Sequence, residues 1–524
     1  MSKGSKAGRV EQILYIFIHS LDKKEKENFT KLDKMTAGKA GSDCLKLFEI
    51  FNRMDSYDPH WVEKHPLRDA FKNNLPKLRN LLFNALLESL RWRNQRSEKS
   101  PLAKQQAELD NIRILMGRGF LPSAQKRMPR LEAEINPGEY PIHTLHLLDL
   151  KRRMALREPN WHFKQTFQEL ADAGQQALAS LSLRLKLSLL EGEIRSLGKL
   201  STSSENRKAI YQSYLEHPDL QPEAIPQEFL ARAYFVNSRG ILLLVTERLD
   251  EAYALYSEGM QEWQRYPEKI WDHADLYLSI LHHYLHSCIY SSSLEEFPRI
   301  RKEIEQQEPG LIPPRHRAKK QRILHLQTLQ YYIYFPNKPQ PHLETIEQWV
   351  LEIEEDTSIQ LSRLLAFYNN LWILSLMRED FSRTNFWLQR ILNAKTRVVQ
   401  EDVRFFAKLM SLICMYELEI MDQNQIRSVV RVLKKRFPDP KAARDSWQYQ
   451  YGIMLIDCCK RLLNAPRDTG ATEPLFQKLG DELETLLDKA KVSSPRNEHL
   501  VVWWAKGKVE KCSIREKWIE ELNK

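Results

Sequence analysis

Apolar residues recur along most of the chain at the spacing of an α-helix. In the segment RSVVRVLKKRF, for example, Val429, Leu433 and Phe437 stand four residues apart, which places them on one side of a helix. Segments that alternate apolar and polar residues between glycine turns are few, so strands are not predicted. Glycine is scarce, at 17 of 524 residues, and residues that lose little side-chain freedom in a helix dominate. The pattern predicts an all-α protein.

The segment from Asn237 to Trp263 contains two predicted helices joined by a tight turn near Glu247–Leu249. Small residues in both helices would let them approach closely, and a tyrosine would fill the space beside them. The small, small, aromatic and small positions are Gly240, Ala252, Tyr256 and Gly259. This spacing resembles that of the tetratricopeptide repeat, a unit of two antiparallel helices.

Weaker copies of this helix pair recur along the chain. The second helices are predicted to begin near residues 120, 161, 204, 249, 293, 341, 380, 422 and 471. One helix pair cannot bury its apolar face alone, whereas stacked pairs build a continuous core. We therefore expect about nine units in an αα-hairpin superhelix, a tetratricopeptide-like solenoid. An irregular helical bundle is the alternative.

The first 100 residues do not repeat, and they are predicted to form an N-terminal helical cap. A polar segment that ends at Pro101 marks its boundary. The predicted domains are residues 1–100 for the cap, 101–491 for the helical repeats and 492–524 for a C-terminal capping helix. Within the cap, Asp22 and Glu25 have the spacing of a capping box at the start of a helix.

Three motifs of the cap occur in a characteristic order before the repeats. They are SLDKKEKENF at Ser20–Phe29, LKLF at Leu45–Phe48 and LLESLR at Leu86–Arg91. This order resembles a family of uncharacterised bacterial proteins with tetratricopeptide-like repeats. The resemblance implies a helical-repeat fold over nearly the whole chain and brings no catalytic residue or substrate. Repeats of this general type usually bind polypeptides.

The cysteines and the apolar segments bear on the compartment. The six cysteines are spread along the chain without a CxxC pair, which is typical of a reducing cytoplasm rather than of a disulfide framework. No stretch of 18 apolar residues occurs, so no membrane span is predicted. The sequence therefore predicts a cytoplasmic protein.

The residues that could carry chemistry do not form a recognisable catalytic pattern. His282 and His286 stand four residues apart, but zinc requires three or four ligands. No GxSxG motif occurs, and the adjacent Cys458 and Cys459 follow an apolar helix face, where cysteine packs as a small hydrophobic residue. We therefore predict no catalytic residue, no metal site and no cofactor, and a protein that is not an enzyme.

The first helices of tetratricopeptide-like pairs line a concave groove. Counting 15 residues back from a fixed position in each second helix gives five inner positions, all polar or amphipathic. They are Asn237, His282, Tyr331, Asn369 and Ser411. Such side chains suit hydrogen bonding to an extended peptide. The leading prediction is a non-catalytic scaffold that binds another protein or peptide.

The alternative prediction is a nucleic-acid-associated regulator. The net charge is +10, and residues 1–130 hold 26 lysines and arginines against 15 acids, whereas the remainder holds 53 against 54. A second basic cluster, without an acid among its members, comprises Arg315, Arg317, Lys319, Lys320 and Arg322. Concentrated cations neutralise phosphates, although an ordinary solvated basic surface produces the same pattern.

Overall fold

The computed structural model is helical, and no strand occurs among the residues that it describes. These residues are 4–36, 39–58, 61, 75–96, 100–136, 139–156, 163–197, 204–354, 361–394, 401–439, 442–465, 470–490, 492 and 498–522. The prediction of an all-α protein is confirmed. Over the same ranges, no helix is both long and apolar enough to cross a membrane.

The described ranges contain 24 α-helices. They are α1 (Gly4–Ser20), α2 (Lys23–Thr36), α3 (Lys39–Arg53), α4 (Leu75–Arg96), α5 (Pro101–Gly117), α6 (Leu121–Glu134), α7 (Pro141–Ala155), α8 (Phe163–Leu197), α9 (Ser204–Leu215), α10 (Phe229–Val245), α11 (Leu249–Arg265), α12 (Lys269–Asp272), α13 (Ala274–Tyr290), α14 (Phe297–Gln306), α15 (Pro314–Tyr334), α16 (Leu343–Glu354), α17 (Leu361–Met377), α18 (Phe381–Asn393), α19 (Glu401–Glu417), α20 (Gln423–Arg436), α21 (Trp447–Asn464), α22 (Glu473–Lys489), α23 (His499–Glu510) and α24 (Ile514–Leu522).

The chain divides into two compact units, Met1–Lys320 and Gln321–Lys524. The predicted domain boundary at residue 100 falls inside the first unit, and residue 491 lies outside the described residues. The three-domain division therefore stays a prediction.

Helices α1 to α4 of the first unit pack around a core of their own, which buries Phe29, Phe51 and Trp61. The N-terminus of α2 carries the expected capping box. The Asp22 carboxylate accepts from the N–H of Glu25 at 2.8 Å, and the Glu25 carboxylate accepts from the N–H of Asp22 at 2.8 Å. This reciprocal cap satisfies two backbone donors that the helix itself leaves unpaired.

One buried carboxylate links the elements of this N-terminal core. Glu11 of α1 is 7% exposed. It accepts from Arg79 of α4 at 2.5 Å and from the indole N–H of Trp61 at 3.2 Å. A buried charge of this kind is tolerated because it is both paired and hydrogen-bonded.

Helices begin close to the positions predicted for the second member of each pair. Seven helices begin within four residues of a predicted position: α6, α11, α14, α16, α18, α20 and α22. The positions near 161 and 204 adjoin residues outside the described ranges, and α8 and α9 are described from Phe163 and Ser204.

The packing of α10 against α11 follows the small and large residues of the sequence. Tyr256 is 0% exposed, and a Cβ at Gly240 would lie 2.5 Å from its Cε2 atom. A Cβ at Gly259 would lie 2.9 Å from the Cγ1 atom of Val236. Because real Cβ atoms do not approach other carbons so closely, both glycines are needed for the two helices to meet at this distance.

Four helix pairs share one turn geometry at the end of the first helix. A residue with positive φ follows α5, α10, α17 and α19, and these residues are Gly119 (84°), Glu247 (63°), Glu379 (58°) and Glu419 (61°). The next N–H donates to the carbonyl five residues earlier, from Phe120 to Leu115, Arg248 to Leu243, Asp380 to Ser375 and Ile420 to Met415, at 2.9, 2.9, 3.0 and 3.0 Å. This is a Schellman motif, which satisfies carbonyls at a helix C-terminus. We therefore treat these four pairs as equivalent.

Helix α8 differs from the expected arrangement. Predicted second-helix starts near 161 and 204 require a turn between them, yet one helix of 35 residues occupies Phe163–Leu197. This segment contains no proline, and a glycine inside a helix weakens it without ending it. The unbroken helix leaves Leu178, Leu185 and Leu189 exposed at 54%, 57% and 61%.

The second unit is built from consecutive helices that pack on their neighbours, among them α17 on α18, α18 on α19, α21 on α22 and α22 on α23. Its core is rich in tryptophan, and Trp372, Trp387 and Trp504 are each at most 1% exposed. The indole N–H of Trp504 donates to Glu417 at 2.7 Å, which satisfies a donor that burial removes from water.

Candidate functional site

A pocket in the second unit is lined by the first helices of three successive helix pairs. Its lining residues are Asn369 and Trp372 of α17, Val403, Phe405, Phe406 and Ala407 of α19, Trp447, Gln448 and Tyr451 of α21, and Glu498 just before α23. The pocket has a volume of ≈160 Å³. We call it the aromatic pocket.

The rings of the aromatic pocket form a contiguous cluster. The Phe406 centroid lies 6.4 Å from that of Trp372 and 6.0 Å from that of Tyr451. Trp447 meets Tyr451 edge to face at 6.4 Å. Trp372 and Tyr451 are each 1% exposed, whereas Phe406 and Trp447 are half-buried. The pocket therefore has a buried aromatic base and two rings that are partly open to solvent.

Polar groups at the pocket are held by internal hydrogen bonds that use only one end of each side chain. The Asn369 carbonyl oxygen accepts from the indole N–H of Trp372 at 3.1 Å, and the Gln448 carbonyl oxygen accepts from Arg436 at 3.0 Å. The Tyr451 hydroxyl donates to the backbone carbonyl of Glu498 at 2.8 Å. Among the described residues, no hydrogen bond is made by the NH₂ groups of Asn369 and Gln448 or by the carboxylate of Glu498. These groups are available to a ligand.

The size of the aromatic pocket limits what it could hold. Its ≈160 Å³ is close to the roughly 150 Å³ of an engineered apolar cavity that binds benzene. Pockets for whole small-molecule ligands occupy about 300 Å³ or more. The pocket therefore fits one aromatic or branched aliphatic side chain of a larger partner better than a free substrate.

The five predicted groove residues have different environments. Asn237 and His282 lie in the first unit, and Tyr331, Asn369 and Ser411 in the second. Asn237 and Ser411 are 0% exposed and Tyr331 is 7% exposed, whereas His282 and Asn369 are half-buried. A bound peptide would contact neither Asn237 nor Ser411 unless the surrounding side chains moved. Of the five, Asn369 lines the aromatic pocket.

Asn237 is occupied by internal hydrogen bonds. Its amide donates to Glu191 of α8 at 2.5 Å and to Ser279 of α13 at 3.3 Å. Glu191 also pairs with Arg195 at 2.6 Å. A buried polar side chain with this many partners stabilises the packing of three helices.

The register shows that Ser411 is not equivalent to Asn237. The connection between α19 and α20 is two residues longer than that between α10 and α11. Counting 15 residues back from the second helix therefore reaches a residue in α19 that lies two positions closer to the helix C-terminus than Asn237 does in α10. Ten residues before each positive-φ residue, the equivalent positions are Leu109, Asn237, Asn369 and Leu409, and all but Asn369 are 0% exposed.

Some cations of the basic cluster are paired or partly buried rather than exposed to solvent. Arg315 and Arg317 are exposed, but Lys319 pairs with Asp275 at 2.6 Å. Lys320 donates to the carbonyl of Ile304 at 2.7 Å, and burial lowers its pKa. Arg322, in the second unit, is half-buried. Its burial lowers its pKa, and the positive charge of the nearby Arg363 lowers it further. Two of the five cations thus remain open to solvent.

The histidines and cysteines that the sequence suggested for chemistry are packed among other side chains. The rings of His282 and His286 lie 6.3 Å apart, and no group of three or more potential metal ligands occurs within the described ranges. None of the six cysteines forms a disulfide. Burial raises the pKa of Cys458 to about 12 and also raises that of Cys459, so both are thiols rather than nucleophilic thiolates at neutral pH.

A cleft of ≈720 Å³ in the first unit lies beside α5, α6 and the start of α7. Six of the eight charged residues among its described lining residues form three ion pairs. Arg127 donates to both oxygens of Glu108 at 2.8 and 2.9 Å, and Lys269 pairs with Glu139 at 2.5 Å. Such pairing leaves little net charge for a ligand.

Titratable groups at this cleft and beside it have shifted pKa values because they are buried. Burial raises the pKa of Tyr140 to about 12. Burial, with Arg184 and Lys269 nearby, lowers the pKa of His273 to about 4. Asp272 accepts from the Ser100 hydroxyl at 2.5 Å and from the N–H of Leu102 at 3.1 Å at the start of α5. Ser100 also accepts from the N–H of Ala103 at 3.0 Å, so these contacts hold the N-terminus of α5.

The aromatic side chains of the pocket were missed by the sequence analysis, which selected residues by polarity. The available signal was an aromatic residue in each of three predicted first helices, namely Trp372, Phe406 and Trp447. Comparison with known proteins adds no further assignment. No family model, no curated protein and no solved structure matches the chain.

Proposed function

We propose that the protein is a non-catalytic helical-repeat protein that binds a polypeptide, and that the aromatic pocket receives one apolar side chain of its partner. The observation that carries this proposal is the convergence of three first helices on one pocket with free amide donors. Partly exposed aromatic side chains beside a buried base are typical of the residues that dominate binding energy in protein interfaces.

Recognition would use both parts of the pocket. A partner side chain would pack against Phe406 and Trp447, and the NH₂ groups of Asn369 and Gln448 would donate to backbone carbonyls beside it. Among the described lining residues, Glu498 is the one that carries a carboxylate, so a basic residue or a backbone N–H next to the anchor is favoured.

The proposal also covers the fold of the repeats and the cellular location of the protein. We infer that the helix pairs form tetratricopeptide-like repeats of a superhelix, which the four equivalent Schellman turns support. The six cysteines form no disulfide and five of them are buried, which supports a cytoplasmic location. The relation to the bacterial family stays a prediction.

Selection of peptides from a displayed random library on the full-length protein would test the proposal. We expect enrichment of an apolar anchor residue, and we expect Phe406→Ala or Trp447→Ala to weaken the selected peptides about 30-fold, as loss of a dominant interface aromatic does. Phe386→Ala is the matched control, because Phe386 is a half-buried phenylalanine on the second helix α18. Equal binding to the Phe406→Ala and Phe386→Ala variants would contradict the proposed pocket.

The nucleic-acid alternative gains no support from the described residues, because three cations of the basic cluster are paired or partly buried. It still predicts retention on DNA or RNA at low salt that decreases steeply as salt rises. Retention of this kind, without peptide enrichment, would favour it over the peptide proposal.

A further inference from the structure

A second pocket of the second unit is lined by cations from three separate segments. Lys338 lies between α15 and α16, Arg378 follows α17, and Arg515 is in the first turn of α24. The remaining lining residues are Pro336, Asn337, Pro339, Gln340, Leu374 and Met377. Thus no carboxylate lines the pocket among the described residues. We call it the cationic pocket; its volume is ≈300 Å³.

The cations of this pocket are not neutralised internally. Arg378 donates to the Gln340 carbonyl oxygen at 2.7 Å, which holds its guanidinium at the pocket without cancelling its charge. Within the described part of the chain, none of the three lining cations forms an ion pair. By contrast, Arg383 on the next helix pairs with Glu347 at 2.6 Å.

The acids that follow Arg378 and Arg515 in the sequence accept from backbone N–H groups. Glu379 accepts from the N–H of Ile514 at 3.2 Å, and Glu516 accepts from the N–H of Ser513 at 2.7 Å. Both bonds belong to the start of α24. These two carboxylates therefore cap the N-terminus of α24, and neither pairs with a lining cation.

The chemistry of the lining indicates the class of ligand. Leu374 and Met377 are 1% and 3% exposed and form an apolar base, whereas the three cations are at its opening. A phosphate monoester carries a charge of about −1.5 to −2 at neutral pH and three acceptor oxygens, which matches three cations better than a carboxylate does. A volume of ≈300 Å³ leaves room for a small organic body.

We propose that the cationic pocket binds a small phosphate monoester, with the phosphate on Lys338, Arg378 and Arg515 and the organic body against Leu374 and Met377. This site is separate from the aromatic pocket. A negative result for phosphate binding would therefore leave the peptide proposal unaffected.

Titration calorimetry of the full-length protein with phenyl phosphate at low ionic strength tests the proposal. We expect saturable binding, weaker binding of inorganic phosphate, which lacks the body, and weaker binding of benzoate, which carries one charge. Arg515→Gln and Lys338→Gln should each reduce affinity about tenfold, since charge-assisted hydrogen bonds are lost. Arg431→Gln is the control, because Arg431 is an exposed arginine of α20 outside the pocket.

Both variants replace exposed side chains, so retained helical circular dichroism would attribute lost binding to the pocket. The proposal is overturned if phenyl phosphate does not saturate, if Arg515→Gln and Lys338→Gln bind as the wild type does, or if benzoate binds as tightly as phenyl phosphate.

Discussion

Replacement of Gly240 by alanine separates the packing of α10 against α11 from the intrinsic preferences of a helix. Helix propensity alone favours alanine over glycine by about 1 kcal/mol. The structure predicts the opposite sign, because the new methyl group would lie 2.5 Å from Tyr256 Cε2, about 1 Å inside a normal carbon–carbon contact. Tyr256 is 0% exposed and cannot turn away into solvent.

Gly192 provides the matched control for this substitution. It lies within α8, and a Cβ there would meet no atom within 4 Å. Gly192→Ala should therefore stabilise its helix by about 0.5–1 kcal/mol. Overpacking costs about 1–3 kcal/mol, so Gly240→Ala should be destabilising by up to about 2 kcal/mol after the propensity gain of about 1 kcal/mol. The difference between the two variants isolates the packing cost, since the propensity gain is common to both.

Amide hydrogen exchange, detected by mass spectrometry, measures the free energy of local opening. The measurement compares peptides from α10, α11 and α8. We expect faster exchange in α10 and α11 of Gly240→Ala and slower exchange in α8 of Gly192→Ala. Adding Tyr256→Leu should recover part of the protection lost in Gly240→Ala. If Gly240→Ala exchanges as slowly as the wild type, the close approach of these two helices is wrong.

Other substitutions test the turns, the buried ion pair and the buried histidine. Gly119→Ala should destabilise the α5–α6 turn by about 1 kcal/mol, because a left-handed conformation penalises any Cβ. For the same reason, Glu247→Gly should be neutral or stabilising. If both substitutions shift the midpoint of thermal unfolding in the same direction, the two turns do not share one geometry. Glu11→Ala should cost about 3 kcal/mol, since it removes the buried carboxylate that pairs with Arg79 and accepts from Trp61. Exchange in α1 to α4 should report this loss while the second unit is unchanged. His273 has a pKa of about 4 in the folded chain, below its unfolded value of about 6.5, so its neutral form stabilises the fold above pH 6.5 and this contribution is lost as pH falls towards 4. Urea unfolding at neutral and acidic pH should therefore show a smaller acid loss for His273→Gln than for the wild type, and equal losses would assign the acid sensitivity elsewhere.

Helix positions were predictable because their signals are local. Apolar periodicity and breaks between segments located the starts of α11, α18 and α20 to within one residue or two, and the spacing of Asp22 and Glu25 predicted the capping box that the structure contains. The long helix α8 was not predicted. A helix pair was expected there from periodicity, but the segment contains no proline, and Gly174 and Gly192 are both accommodated within the helix.

The residues of the candidate site were harder to predict, because exposure depends on neighbours that are distant in sequence. Asn237 and Asn369 both stand ten residues before a positive-φ turn residue, at Glu247 and Glu379. Nothing in the local sequence distinguishes them, yet one is 0% exposed and the other is half-buried. Sequence periodicity assigns a residue to a helix face, but the side chains across from that face decide whether it meets solvent.

The same comparison explains why the pocket opens in the second unit. Beside Asn237, the neighbouring first helices supply Glu191 and Ser279, which accept its amide hydrogens and close the space. Beside Asn369, the equivalent layer supplies aromatic rings, and an indole N–H occupies the carbonyl oxygen of the amide and leaves its donors unused. Rings cannot accept these hydrogens in the way that a carboxylate does, and their rigid shapes leave ≈160 Å³ unfilled. An asparagine that serves packing in one helix pair is therefore available for recognition in another, because its neighbours differ.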